Sequence, residues 1–127
     1  MSESHFYHIS KSGKLNQFSD ISEVTDQAKN DAGFFWLHYL EPSAEDLHPL
    51  IKLLNLHPLS VEDALDDNQL PKIDDFPSNT FIVFNAFTYA EEKISIQEVD
   101  FFLGKHFVIS IDRMGLGGKP LLNNIEE

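Results

Sequence analysis

The pattern of apolar and polar residues predicts strands in the first third of the chain. Residues 5–9 and 14–18 flank the turn pair Ser12-Gly13, an arrangement typical of a β-hairpin. Residues 34–40 leave no polar face and therefore predict a strand buried on both sides. Between these strands, residues 22–30 are weakly amphipathic and end at a turn signal, so we expect a short surface helix there.

Two helices are predicted in the middle of the chain. Apolar residues at the three- and four-residue spacing of a helix face mark the first: Leu47, Leu50, Ile51 and Leu54. Ser43 is its expected N-cap, and Pro49 removes a backbone hydrogen bond, so we expect a late start or a bend. The second helix is predicted to begin at Pro58, since a missing N–H costs nothing at the first helical position, and to run through about Leu65.

After Pro71 the pattern changes to three strands at residues 80–89, 94–103 and 107–112. The short connections between them imply an antiparallel meander. The apolar residues of the middle strand change parity along its length, which predicts a bulge between Gln97 and Glu98.

The expected fold class is therefore α/β of the α+β kind, with a mixed, largely antiparallel sheet in a single domain. Helices on both faces are expected, because residues 81–84 are apolar on both sides of their strand. We place the domain at residues 1–113. Residues 114–127 are predicted to be a glycine-rich loop followed by the start of a truncated helix, since the last segment stops without a cap.

Composition excludes several classes of protein. The 127 residues include no cysteine, so no disulfide is possible. The longest apolar runs are far shorter than the roughly 18 residues that span a bilayer, and the first residues lack the features of a signal peptide. A cytosolic location is therefore the default.

Charge points to a cationic ligand. The formal net charge of −12 argues against nucleic acid or an anionic membrane surface as a partner. Nine acids lie between residues 41 and 75, against only Lys52 and Lys72 as bases, although an acidic surface that merely keeps a small domain soluble would look similar.

The acids of the second predicted helix form the best candidate for a metal site. Glu62 lies four residues before Asp66, and Asp63 lies four before Asp67, so like charges face each other if the helix continues, at about 0.2–0.5 kcal/mol a pair. A divalent cation would relieve this repulsion, and carboxylates without sulfur favour Mg²⁺ or Ca²⁺. From the residues alone, a solvated helix end is the preferred interpretation and a metal site is the alternative.

Other chemistry finds no support. The segment after the second helix lacks the third ligand and the glycine of a calcium-binding EF-hand, and the histidines lack zinc spacing. His57 is expected to pack or cap at the start of its helix. Ser60 has no glycine-flanked elbow, so no enzyme activity is predicted.

One tract carries a family resemblance. His57-Pro58-Leu59 with Glu62-Asp63, and the Pro71-Lys72 that follows, resemble the amino-terminal cytoplasmic domain of CorA-type magnesium and divalent cation transporters. Weaker matching segments, in order between about residues 34 and 113, are Phe35-Trp36-Leu37-His38, Pro42-Ser43, Phe81-Ile82-Val83-Phe84, Phe101-Phe102-Leu103-Gly104 and Val108-Ile109-Ser110.

The resemblance implies a magnesium-sensing domain on the cytoplasmic side of the membrane, in a homo-oligomer that is a pentamer in the family. Glu62 and Asp63 would bind regulatory Mg²⁺ weakly at a subunit boundary, with Asp66 and Asp67 as further contributors. The family's stalk helix, which supplies the partner acid, and its membrane helices are expected in a longer protein. The alternatives are a freestanding acidic interaction module and the equivalent domain of a zinc-transporting relative.

Overall fold

A computed structural model describes residues 3–23, 33–66 and 70–113. These residues form seven strands and two helices with described bounds, and residues 21–23 are helical as well. In chain order they are β1 Glu3–Ile9, β2 Leu15–Phe18, β3 Phe34–Leu40, α1 Ala44–Leu53, α2 Pro58–Leu65, β4 Lys72–Asp75, β5 Thr80–Ala90, β6 Lys93–Leu103 and β7 Phe107–Asp112. Residues 24–32, which include most of the predicted surface helix, and residues 114–127 lie outside the described part of the chain.

All seven strands belong to one sheet in the order β2-β1-β3-β7-β6-β5-β4. Neighbouring strands are antiparallel except β3 and β7, which run parallel with Leu37 opposite Ile109. The predicted mixed, largely antiparallel sheet with helices is therefore confirmed. The amino-terminal hairpin is confirmed too, and Gly13 adopts φ 88° in its connection, a value that favours glycine.

The core lies between the sheet and the two described helices. Leu47 and Leu50 of α1 and Val61 and Ala64 of α2 are fully buried against one face of the sheet. The strand residues that meet them include Leu37, Phe81, Phe102 and Ile109. Since residues of one strand face alternate sides, these positions share a face through the observed register. This packing fixes α2 over the half of the sheet that ends at β4.

Helix α1 begins at the predicted N-cap but not late. Asp46 Oδ2 accepts hydrogen bonds from the Ser43 backbone N–H at 2.9 Å and from its hydroxyl at 3.1 Å. The helix starts at Ala44 and contains Pro49, so the late start is wrong, and the alternative, a bend at Pro49, stays a prediction. Burial of Leu47 and Leu50 on either side of the proline holds the helix despite the missing backbone donor.

The predicted bulge in β6 is also wrong. Pairing between β5 and β6 is continuous from Thr80 opposite Leu103 to Ala90 opposite Lys93. The change in parity arises because β6 pairs with β7 only over Val99–Leu103, so the outer half of the β5–β6 hairpin extends past its neighbours. Large apolar side chains are exposed on that outer half: Phe87, Tyr89, Ile94 and Ile96.

Candidate metal-binding site

The tract singled out by sequence forms helix α2 and its N-terminal anchor. His57 is the N-cap, and its Nδ1 accepts a hydrogen bond from the backbone N–H of Leu59 at 3.2 Å. The imidazole ring also stacks on Phe76 with centroids 4.4 Å apart. Pro58 follows at the first helical position, where no donor is needed. The expectation that His57 packs and caps is confirmed, and the capping bond leaves Nδ1 unavailable to a metal.

A buried asparagine that sequence reasoning missed holds this anchor in place. Asn79 Oδ1 accepts from the backbone N–H of His57 at 2.8 Å, and Asn79 Nδ2 donates to Ser60 Oγ at 3.3 Å. The Ser60 hydroxyl in turn donates to the carbonyl oxygen of His57 at 2.6 Å. Asn79 and Ser60 are both buried, so these bonds form away from water. In the sequence Asn79 is indistinguishable from a turn residue before β5.

The two candidate ligands differ in their surroundings. Glu62 is exposed and makes no ion pair within the described residues. Asp63 is partly exposed, and its Oδ2 lies 2.9 Å from Nζ of Lys72 on the edge strand β4. The structure therefore brings together the two most specific parts of the sequence pattern, the Glu-Asp pair and the Pro-Lys pair.

Lys72 is shared between two acids. Its Nζ also lies 3.0 Å from Asp74 Oδ2, and the side chains of Lys72, Asp63 and Asp74 are 31%, 34% and 40% exposed. Hydrogen bonds to Asp63 and Asp74 raise the pKa of Lys72 above its ordinary value. The ammonium also lies 5.9 Å from the centroid of the Phe81 ring, at the outer limit of a cation–π contact. Lys72 is thus a positive charge shared between two acids of this surface.

Asp66 follows the last residue of helix α2. The helix ends at Leu65, and Asp66 has an extended backbone while its N–H donates to the carbonyl oxygen of Asp63 at 3.2 Å. The condition for Glu62 and Asp66 to face each other, a helix that continues past Leu65, is therefore not met, and a role of Asp66 in the site stays a prediction. Asp67 lies outside the described residues.

The described residues hold few potential metal ligands close together. No cluster of three or more His, Asp or Glu residues able to hold a metal occurs within residues 3–23, 33–66 and 70–113. Mg²⁺ commonly keeps several waters and takes only one or two carboxylates, which Glu62 and Asp63 can supply.

A second charged cluster lies where β7 ends beside β6. Arg113 Nε is 3.0 Å from Glu98 Oε2 and 3.3 Å from Asp100 Oδ2, and these side chains are only 14%, 13% and 0% exposed. Gln97 and Asp112, which precede Glu98 and Arg113 in the chain, are both buried, and Gln97 Nε2 donates a hydrogen bond to Asp112 Oδ1. Burial, followed by the hydrogen bond to Glu98 and its negative charge, raises the pKa of Asp100 to about 8 against the opposing effect of Arg113.

Comparison with known proteins decides the family. A family model described as CorA-like Mg²⁺ transporter protein matches residues 31–121. The chain belongs to the CorA-like family. The match spans the Glu-Asp pair and the Pro-Lys pair, and it confirms the resemblance predicted over about residues 34–113.

Relatives of this CorA-like chain are longer than it is. It is 30% identical over 80 residues to YfjQ of Bacillus subtilis (strain 168), which is named as a candidate metal ion transporter; the match covers 63% of this chain and 24% of YfjQ. The complete CorA magnesium transporter from Methanocaldococcus jannaschii has a TM-score of 0.63 at 16% identity, with 85% of this chain and 31% of that chain covered.

The cytoplasmic domain of ZntB from Vibrio parahaemolyticus RIMD 2210633 shares the fold as well, with a TM-score of 0.58 at 13% identity over 87% of this chain and 43% of that one. These structural likenesses establish the fold. Within the described part of the CorA-like chain, no helix is both long and apolar enough to cross a membrane.

Proposed function

We propose that this chain is the cytoplasmic, magnesium-sensing domain of a CorA-like divalent cation transporter. The observation that carries the proposal is the placement of Glu62 and Asp63 on a firmly anchored helix at the edge of the sheet. Membership of a family named for Mg²⁺ transport supports the choice of ion. No enzyme activity is proposed.

Glu62 and Asp63 would form half of a regulatory site, and an acid from a neighbouring subunit of a homo-oligomer would complete it. Acidic surfaces on neighbouring subunits repel each other until a divalent cation lies between them. The ion would bind tightly only when neighbouring subunits are packed together. A change in magnesium concentration would therefore change the packing of the subunits. Asp66 and Asp67 are further proposed contributors to this site.

The proposal predicts weak binding by this chain alone, since one surface supplies only two carboxylates. We expect a millimolar or weaker Kd for Mg²⁺, on the scale of weak extracellular Ca²⁺ modules. Titration with MgCl₂, followed by amide shifts in ¹H–¹⁵N NMR spectra, should move the resonances of residues 60–66 first.

The double variant Glu62→Gln/Asp63→Asn should abolish these shifts. Glu91→Gln/Glu92→Gln is the matched control, because Glu91 and Glu92 are also adjacent exposed acids, at the turn between β5 and β6. Submicromolar binding, or equal losses in the two double variants, would contradict a half-site at Glu62 and Asp63.

The alternative is the equivalent domain of a zinc-transporting relative, and the likeness to the ZntB domain at 13% identity bears on the fold alone. The local chemistry favours magnesium over it, because Zn²⁺ prefers imidazole and thiolate ligands, the chain has no cysteine, and His57 Nδ1 is engaged in capping. Titration with ZnCl₂ in place of MgCl₂ distinguishes them: tighter zinc binding that Glu62→Gln/Asp63→Asn abolishes would favour the zinc reading. A freestanding acidic module would show no selective response at residues 60–66.

A further inference from the structure

The ammonium group of Lys72 lies where a cation bound to Asp63 would lie. We propose that Lys72 is a tethered competitor of the divalent cation at Asp63 and raises the ion concentration at which this site fills. The inference rests on the proposed function and adds a residue that sets its threshold.

Strand β4 places the side chain of Lys72 beside Asp63. In the register of β4 with β5, Lys72 lies opposite Val83 and Asp74 lies opposite Phe81. Because residues two apart on a strand face the same side, the side chains of Lys72 and Asp74 lie on the same face of the sheet. Helix α2 covers that face, because Val61 and Ala64 pack into the same core as Val83 and Phe81. The contact between Lys72 and Asp63 thus follows from the position of β4 beside helix α2.

A divalent cation and Lys72 cannot both bind Asp63 Oδ2 closely. The Lys72 ammonium is 2.9 Å from that oxygen, a direct hydrogen-bond distance, and a second cation at the same atom would lie within a few ångströms of it. Like charges at that separation repel, so binding of the ion requires Lys72 to leave Asp63. The cost of this displacement appears as weaker affinity for the ion.

Asp74 is an alternative ion-pair partner for Lys72. Its Oδ2 is already 3.0 Å from Lys72 Nζ, so loss of the Asp63 contact leaves the ammonium with a carboxylate partner. The partial exposure of all three side chains lets water replace the broken contact. An exchangeable ion pair can therefore release Asp63 without leaving a buried charge alone.

The test compares Lys72→Met with Lys52→Met in the 127-residue chain, titrated with MgCl₂ by NMR. Lys52 is an exposed base in the last turn of α1, so its variant makes the same change in net charge away from the site. We expect Lys72→Met to lower the Kd for Mg²⁺ roughly three- to five-fold, within the range that a partly exposed ion pair can account for, and Lys52→Met to change it less than two-fold. Lys72→Arg keeps the charge and should not tighten binding.

A second readout follows the lysine itself. In the wild-type chain, Mg²⁺ should shift the side-chain Cε–Hε resonances of Lys72 and leave those of Lys52 in place. If Lys72→Met tightens binding no more than Lys52→Met, while Asp63→Asn still weakens it, Lys72 is not a competitor and the sensing site stands. If Asp63→Asn has no effect in either the wild-type or the Lys72→Met background, the proposed function fails and this inference fails with it.

Discussion

Two clusters in this sheet each place one base between two acids, and they differ in their exposure to water. Lys72 lies between Asp63 and Asp74 at the edge strand, with all three side chains partly exposed. Arg113 lies between Glu98 and Asp100 at the end of β7, where Asp100 is fully buried and the others nearly so. The distances are alike, from 2.9 to 3.3 Å, but the surrounding medium is not.

The difference decides which cluster can respond to an ion. Exposed pairs are worth about 0–1 kcal/mol, because water and salt stabilise the separated charges almost as well as the pair. Buried pairs are costly to break, because removing one partner leaves the other charged and without water. The Lys72 cluster can therefore exchange its cation, whereas the Arg113 cluster holds the strand ends together.

The largest effect is expected from Arg113→Met. Loss of the guanidinium leaves Glu98 and Asp100 without their shared cation in a buried site, so the free energy of unfolding at pH 8 should fall by about 3–5 kcal/mol. Urea denaturation followed by circular dichroism measures this loss. The triple variant Glu98→Gln/Asp100→Asn/Arg113→Met should recover part of it. A loss below about 1 kcal/mol would show that the cluster is as exchangeable as that of Lys72.

A pH-dependent effect should follow from Asp100. Its pKa of about 8 in the folded chain lies above the ordinary value of 3.8, so the folded state binds the proton more tightly. The stability contributed by this group is full below about pH 4 and is lost as the pH rises to about 8, at no more than about 1.4 kcal/mol per pH unit.

The stability of wild type minus that of Asp100→Asn should therefore decrease between pH 4 and pH 8. Urea denaturation of both chains at each pH measures the difference, in which carboxylates that do not interact with Asp100 cancel. A difference that rises with pH would mean that Arg113 dominates over burial at Asp100.

The sequence predicted the elements well and their polar contacts poorly. Pro58 and the apolar spacing placed α2 at its observed bounds, because these signals act within a few residues. The pairing of Asp63 with Lys72 depends on β4 lying under α2, which no local pattern encodes. The bulge predicted in β6 failed for a related reason: Ile94 and Ile96 are exposed because β7 ends early, not because the strand changes face.

A smaller loss of stability is expected from Asn79→Ala. This variant tests whether the buried hydrogen bonds of Asn79 hold the helix that carries Asp63. The substitution leaves the backbone N–H of His57 without its acceptor, so unfolding free energy should fall by about 1–3 kcal/mol. Thermal and urea denaturation measure the change. Ser78→Ala is the control, since Ser78 donates only to the same Asn79 oxygen at 3.2 Å and is less buried, and it should cost under about 1 kcal/mol.

The smallest effect on stability is expected from Lys72→Met, the counterpart of Arg113→Met. Because water replaces the contacts to Asp63 and Asp74, the free energy of unfolding should change by less than about 1 kcal/mol. The change should shrink further as NaCl is raised from 0.05 to 1 M, since the Debye length falls to about 3 Å. Lys52→Met provides the baseline for loss of one positive charge in an acidic chain. A loss of about 3 kcal/mol that persists in 1 M NaCl would show that Lys72, like Arg113, has a structural role. The ion pair between Lys72 and Asp63 would then be too stable for a metal ion to displace the lysine.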